Sequence, residues 1–517
     1  MPRRFNTAGP CLFEDHYMLP PEERLPQVRE LIDGKHYFVI HAPWQTGKTT
    51  LIRNLSRKLT AEGKYAALTI SLESFVTAEP ESVMPQLLKG LWSDAEYAFP
   101  ADLQPPKVDE FVGDPLIALR EYLSAWSDAI RLPVVLFLDE ADSLAGPVLI
   151  SLLRQLRDGY TARPRPFPQS VALVGLKDIR DYRVQVRSET ETLGTSSPFN
   201  IKVESLTMGN FSREEVARLL HQHTEEAGQP FEPDAMDEVF HQTGGQPWLV
   251  NALANQLTTH YNALVKDRGI PVTRDHVLAA KEILVERRDT HLDSLVHRLR
   301  EPRIKRVIEP IMVGEVVADA TYDDDFSYTK DLGLVTAADG GPRRIANPIY
   351  AEIIARVLIH QVQTSIPEDP AWFVRGDGTL DMMKLIAGFL EFWRENGEVL
   401  LRGLPYQEAA PHLVFMGYLQ RIVNGGRVER EFALGTRRAD LVVHYGTRQK
   451  EVIELKLARA PKAMARGTRQ VAEYAKRLGL RKGYLLLFDR EATTPWEERG
   501  EIEEIETHGV TVVVVRV

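Results

Sequence analysis

Two constellations in this chain bring together residue types that could do chemistry. The first is Gly47-Lys48-Thr49, which follows the apolar run Tyr37-Phe38-Val39-Ile40-His41 and precedes a helical pattern from Leu51 to Leu59. Strand, loop, Gly-Lys-Thr and helix together are the context of a phosphate-binding loop. Backbone N–H groups of the loop and the helix N-terminus would point at a β-phosphate, where the helix dipole also favours negative charge. Gly47 lets the backbone approach closely, Lys48 reaches the β- and γ-phosphates, and the Thr49 hydroxyl can ligate Mg²⁺. The loop residues expected at the nucleotide are Ala42, Trp44, Gln45, Thr46, Gly47, Lys48, Thr49 and Thr50. Ala42 stands where the motif G-x-x-x-x-G-K-[ST] has its first glycine, a position that needs a small residue more than a glycine.

Downstream, Leu132-Pro133-Val134-Val135-Leu136-Phe137-Leu138 runs into Asp139-Glu140-Ala141-Asp142. An apolar strand ending in acids, coupled to the loop above, assigns Asp139 to Mg²⁺ through water and Glu140 to polarising the attacking water. The chain is therefore read as binding ATP, or a close relative, and hydrolysing it. The second constellation is Asp440 with Glu454-Leu455-Lys456. Strand side chains alternate, so Glu454 and Lys456 share a face while Leu455 points into the core. Asp440, on a paired neighbouring strand, can bring its carboxylate beside Glu454. Converging carboxylates with retained water suit Mg²⁺ or Mn²⁺. Asp440 and Glu454 would hold that metal, and Lys456 would position or polarise its water.

The elements that must position these groups follow from periodicity. Tyr65 to Ser71, Val171 to Gly175 and Phe199 to Val203 add strands to the two above, giving a five-stranded parallel sheet with ligand at its C-terminal ends. Tyr65 to Ser71 is expected to be the extra strand between the two motifs. Phe211 to His260 is helical, opening on Ser212 and Glu215 as a capping box, and Pro271 to Leu299 is helical again. Helices at 303–312 and 323–332, a turn at Asp339-Gly340-Gly341-Pro342 and flanking short strands suggest a winged helix. Asp323, Asp324, Asp325 and Asp331 on its recognition helix would repel phosphate, which favours packing and signalling over duplex reading. Thr364 to Pro370 reads as linker. Beyond it come a helix at 404–422, strands at 428–434, 439–444, 451–457 and 483–488, a helix at 466–478, and a tail strand at 510–517.

At 517 residues the chain is too long for one core. Its 44% hydrophobic and 26% charged residues are those of a soluble globular protein. No apolar run approaches the roughly 20 residues that span a bilayer, and the N-terminus lacks the apolar segment of a secretory signal. The single cysteine, Cys11, cannot close an intrachain disulfide. A cytoplasmic protein is expected. The net charge of −10 is unevenly placed: Arg427 to Arg490 holds 16 Lys and Arg against 7 Asp and Glu. A basic C-terminal module on an acidic chain suits a polyanion, although a solvated basic face would have the same composition.

The segment His16-Tyr17-Met18-Leu19-Pro20, the phosphate loop, Leu138 to Asp142 and Thr243-Gly244-Gly245-Gln246-Pro247 together resemble the AAA-like and STAND-related ATPases. That resemblance implies Tyr17 as an adenine contact and Pro247 as a lid contact. It also implies a sensor at Lys177 or Arg180, or Arg154 acting as a finger in a neighbouring subunit of a homo-oligomer. The order Asp440, Glu454-x-Lys456, then Gln470 and Tyr474 four residues apart on a helix, resembles the PD-(D/E)xK nucleases. Gln470 joins the catalytic set on that basis, and Glu408 matches an additional acid of some members. Ala439 stands where those nucleases commonly have proline. The implied architecture is an α/β multidomain chain: P-loop ATPase core at 1–205, helical lid at 206–300, winged-helix domain at 301–362, linker at 363–379, and restriction-endonuclease-like domain at 380–517. The implied function is an ATPase whose nucleotide state gates a metal-dependent nuclease acting on nucleic acid, DNA foremost, in defence against foreign DNA. A STAND-like switch with a non-cleaving C-terminal domain, and an ATPase that loads a partner, are the rival readings.

Overall fold

The computed structural model describes residues 2–75, 80–144, 146–176, 202–287, 295, 297–312, 324–337, 343–363, 373–403, 410–422, 426–430, 441–445, 449–457, 463–488 and 500–517. The chain divides into two compact units, one of residues 1–280 with 331–333 and the other of residues 281–330 with 334–517.

In the first unit, helix α1 (Gln27–Asp33) leads to strand β1 (Tyr37–His41) and helix α2 (Lys48–Ala61). Strand β2 (Ala66–Ser71), helices α3 (Pro80–Ala98) and α4 (Ala118–Ala129), strand β3 (Val134–Asp139), helix α5 (Gly146–Thr161) and strands β4 (Ser170–Gly175) and β5 (Lys202–Thr207) follow. The five strands are parallel, in the order β2-β3-β4-β1-β5. All five residues of β1 are buried, because a parallel sheet is covered on both faces and its strands are apolar throughout. Alternation still sorts them. Tyr37 and Val39 join Leu68, Leu136 and Leu173 under α3, α4 and α5. Phe38 and Ile40 join Ala67, Phe137 and Val174 under α1 and α2.

The strand standing between β1 and β3 is β4, whereas β2 is at the sheet's edge. The expectation that Tyr65 to Ser71 would separate the two motif strands is thus corrected. Chain order places β2 between them in sequence, but right-handed crossovers carry β3 and then β4 back toward β1.

Helices α6 (Arg213–Ala227), α7 (Pro233–Thr243), α8 (Pro247–Asn255), α9 (Asn262–Lys266) and α10 (Arg274–Arg287) come next. Helix α6 starts on a capping box: the Ser212 hydroxyl accepts the Glu215 N–H and the Glu215 carboxylate accepts the Ser212 N–H. Gly244 at φ 57° and Gly245 at φ 70° make the left-handed turn from α7 to α8. A Cβ on Gly245 would lie 2.0 Å from the Phe211 carbonyl oxygen, so only glycine fits.

The second unit begins with α11 (Pro302–Met312), α12 (Asp324–Asp331), the antiparallel strands β6 (Val335–Ala337) and β7 (Arg343–Ile345), and α13 (Pro348–Gln363). Asp325 on α12 is paired with Arg303 and Arg306 of α11 at 2.8 Å each. Helices α14 (Met382–Gly403) and α15 (Ala410–Ile422) precede strands β8 (Gly426–Arg430), β9 (Leu441–Tyr445) and β10 (Gln449–Leu457), helix α16 (Ala463–Arg477), and strands β11 (Lys482–Phe488), β12 (Ile502–Thr507) and β13 (Val510–Arg516). These strands form a mixed sheet in the order β12-β13-β11-β10-β9-β8. Its two faces are covered differently. Val471, Ala472 and Ala475 of α16 pack on Leu485, Leu487, Val512 and Val514. On the opposite face, Phe488 meets Phe389 and Trp393 of α14 and His412 of α15.

Candidate functional site

The loop after β1 turns through Gln45 at φ 57° and Gly47 at φ 97°. Helix α2 then starts at Lys48, and the Leu51 N–H closes the first turn on the Gly47 carbonyl at 2.9 Å. Ala42 is fully buried and keeps an ordinary φ, which is why alanine serves in place of the motif's first glycine. Lys48 is 6% exposed. Its ammonium donates to the carbonyls of Ala42 at 2.9 Å and Pro43 at 3.1 Å, so it curls over the loop it belongs to. Burial pushes that ammonium below its ordinary value, while Glu140, Asp142 and Asp139 pull it back up.

The end of β3 is aimed at the start of α2. The Thr49 hydroxyl donates to Asp139 Oδ2 at 2.7 Å. Asp139 is 3% exposed, and burial raises its carboxyl; hydrogen bonds from Thr49 and the Glu140 N–H oppose the rise. Glu140 takes a left-handed backbone at φ 55°, a conformation unusual for a side chain of its size. Burial, with the Asp139 charge next to it, raises the Glu140 carboxyl too. A hydroxyl and a carboxylate meeting at one point are a hard-oxygen set that fits Mg²⁺, with Thr49 and Asp139 as the residues that would hold it.

Residues 32–182 match the family model of the AAA domain. This segment is a P-loop ATPase domain. Residues 387–492 match the model of a domain of unknown function (DUF8371). No curated protein matches the chain. Among solved structures, the Walker-type ATPase of Pyrococcus abyssi is 16% identical, with a TM-score of 0.48, covering 68% of this chain and 99% of its own. The Thermotoga maritima RuvB Holliday junction branch migration motor is 16% identical with a TM-score of 0.34, covering 64% and 94%. Cdc6p of Pyrobaculum aerophilum is 14% identical with a TM-score of 0.35, covering 66% and 93%.

Around the ATPase domain's loop, other expected contacts fall in distinct places. The Thr46 hydroxyl donates to the Pro43 carbonyl at 2.9 Å, which braces the loop from within. The Thr50 hydroxyl accepts the Cys11 N–H at 3.1 Å and so faces the N-terminal segment. Tyr17 is 2% exposed, its ring set against Phe5 and His223 with centroids 4.8 and 5.7 Å away. This side chain is part of an aromatic core, and the backbone of Met18 beside it is bonded in both directions by the Gln222 amide. Pro247 is buried as the first residue of α8. Arg154 is exposed on α5. Lys177 and Arg180 lie outside the described residues.

Two residues that the sequence did not single out touch the loop. Gln246 donates through Nε2 to the Trp44 carbonyl at 3.3 Å, and Arg24 donates through Nη1 to the Thr46 carbonyl at 2.7 Å. Gln246 sits inside Gly-Gly-Gln-Pro, where the eye goes to the glycines and the proline. Arg24 lies among prolines and acids with no periodic signal.

In the second unit, Glu454 is fully buried and Lys456 Nζ stands 2.7 Å from its Oε1. Glu454 is level with Leu485 and Lys456 with Leu487 on the parallel neighbour β11, so both point to the face that α16 covers. Leu455 faces the other way and is buried. Gln470 and Tyr474 are half-buried on that same helix, and Gln470 Oε1 is a buried oxygen with no hydrogen-bond partner among the described residues. Asp440 and Glu408 lie outside the described residues; Leu441, the sequence neighbour of Asp440, stands opposite Ile453, the neighbour of Glu454. Among the described residues no group of three His, Cys, Asp or Glu is placed to hold a metal.

Proposed function

We propose that the chain binds and hydrolyses ATP at Lys48, Thr49, Asp139 and Glu140, and that nucleotide state gates a metal-dependent phosphodiesterase built on Asp440, Glu454, Lys456 and Gln470. The observation that carries the first half is the 2.7 Å contact between Thr49 and Asp139 beside a buried lysine. Lys48 would bind the β- and γ-phosphates, and Glu140 would take the proton of the attacking water. Mg²⁺ supplies charge neutralisation on the phosphates when bound.

The second half is supported by a fully buried carboxylate with a lysine on the same strand face. Burying such a pair has a desolvation cost that an apolar pair of the same volume would not have. Perturbed or buried charge held at such a cost is a mark of functional sites. Glu454, together with Asp440, would hold Mg²⁺ or Mn²⁺, and the Gln470 amide oxygen has capacity to accept a further donor. Nucleic acid, DNA foremost, is the substrate class to which the basic stretch from Arg427 to Arg490 is matched. A packing role is proposed for the segment 301–362, whose Asp325 is committed to two arginines. Cleavage of DNA by the full chain in Mg²⁺ or Mn²⁺ tests the nuclease assignment: Asp440→Ala and Glu454→Gln are expected to abolish it. Equal cleavage by wild type and both variants would remove these residues from any active site, and a wild type that binds DNA without cutting it would leave a switch in place of a nuclease.

A further inference from the structure

The carbonyls of the phosphate loop are held one after another by side chains. Lys48 takes those of Ala42 and Pro43. Gln246 takes Trp44 at 3.3 Å and, more weakly, Gln45 at 3.5 Å. Arg24 takes Thr46 at 2.7 Å. In a trans peptide unit the C=O and the following N–H point in opposite directions. Fixing the carbonyls of Trp44, Gln45 and Thr46 on side chains from outside the loop therefore turns the N–H groups of Gln45, Thr46 and Gly47 the other way, toward the hollow of the loop.

We infer that Arg24 and Gln246, neither of them part of the loop motif, are positioning residues that preset the loop's N–H groups for a β-phosphate. The inference rests on the reading of this loop as the ATP site. Arg24 is built for the task. Its second nitrogen bonds the Gly209 carbonyl, and its guanidinium lies 4.6 Å from the centre of the Phe211 ring. The Phe211 N–H in turn donates to the Gly245 carbonyl at 2.8 Å, next to Gln246. Gln246 is fixed from its own side, because its Oε1 accepts the Leu249 N–H at 2.6 Å at the start of α8. Both positioning groups thus belong to one bonded assembly, and a planar two-point donor is what Arg24 supplies and a lysine cannot.

The test is affinity of the full chain for ATP, ADP and AMP in wild type, Arg24→Lys, Arg24→Ala and Gln246→Leu, with thermal melting to confirm folding. If the N–H groups are preset, each variant loses roughly tenfold for ATP and ADP while AMP, which has no β-phosphate, is unchanged. Guanidinium ion added to Arg24→Ala restores part of the loss. Arg24→Lys keeps the charge, so wild-type affinity in that variant would reduce Arg24 to a simple cation and overturn the inference. Unchanged ADP affinity in all three variants would overturn it as well. Failure of wild type to bind ATP would instead overturn the reading of the site itself, with which this inference would fall.

Discussion

Lys48 and Asp139 are held out of water with Glu140 half-buried beside them, and that sets what each should do when altered. Removing the ammonium in Lys48→Ala is expected to weaken ATP binding by more than tenfold, read by direct titration; unchanged affinity would show that the phosphates bind elsewhere. Glu140→Gln keeps the shape and the left-handed backbone but removes the base. It should bind ATP normally and lose about 10²-fold or more in turnover. Equal losses of affinity and turnover would point to a structural part for Glu140. These residues were legible in the sequence because Gly-Lys-Thr and Asp-Glu occur at strand ends. Arg24 and Gln246 were not, because a side chain that holds a distant carbonyl has no spacing rule. Tyr17 shows the converse: the motif around it was visible, yet its ring is spent on Phe5 and His223.

Among the elements, the helices after β5 depend on two local devices. The first is Glu238 of α7. Burial alone would raise its carboxyl, but hydrogen bonds from His241, Gln242 and Arg274 outweigh it and hold the group at about 2. A depressed carboxyl stabilises the fold fully above its unfolded value near 4.5, and that contribution fades as pH falls toward 2. Glu238→Gln should therefore be less stable to unfolding than wild type at pH 7, by about 2 kcal/mol, with the gap closing between pH 4 and 2. A gap constant with pH would assign the loss to packing. The second device is Gly245, where Gly245→Ala should cost about 2 kcal/mol or more, given its φ of 70° and the Phe211 oxygen in its way. The capping box at Ser212 was readable, since both partners lie within one turn. Strand β12 was not: Ile502-Glu503-Glu504-Ile505-Glu506-Thr507 is exposed at a sheet edge, where charge guards against pairing and hides the strand's pattern. The spatial order of β2 and β4 was hidden as well, because neighbours in a parallel sheet are set by crossovers.

At the scale of the whole molecule, one chain carries a P-loop ATPase domain and a second unit whose buried Glu454 and Lys456 stand on one strand face. That face was legible from alternation alone, and so was the helix that covers it. What the sequence could not supply was burial: Glu-x-Lys is common on solvated strands, and only packing shows that Glu454 is fully enclosed. Coupling between the two chemistries is the central claim. The most direct measurement is the rate of DNA cleavage by the full chain in Mg²⁺ or Mn²⁺, with ATP present and absent, in wild type and in Lys48→Ala. If nucleotide gates cleavage, the cleavage rate changes with ATP in wild type and ignores ATP in Lys48→Ala. Cleavage at one rate in all four conditions, or none in any of them by folded, ATP-binding protein, would contradict it.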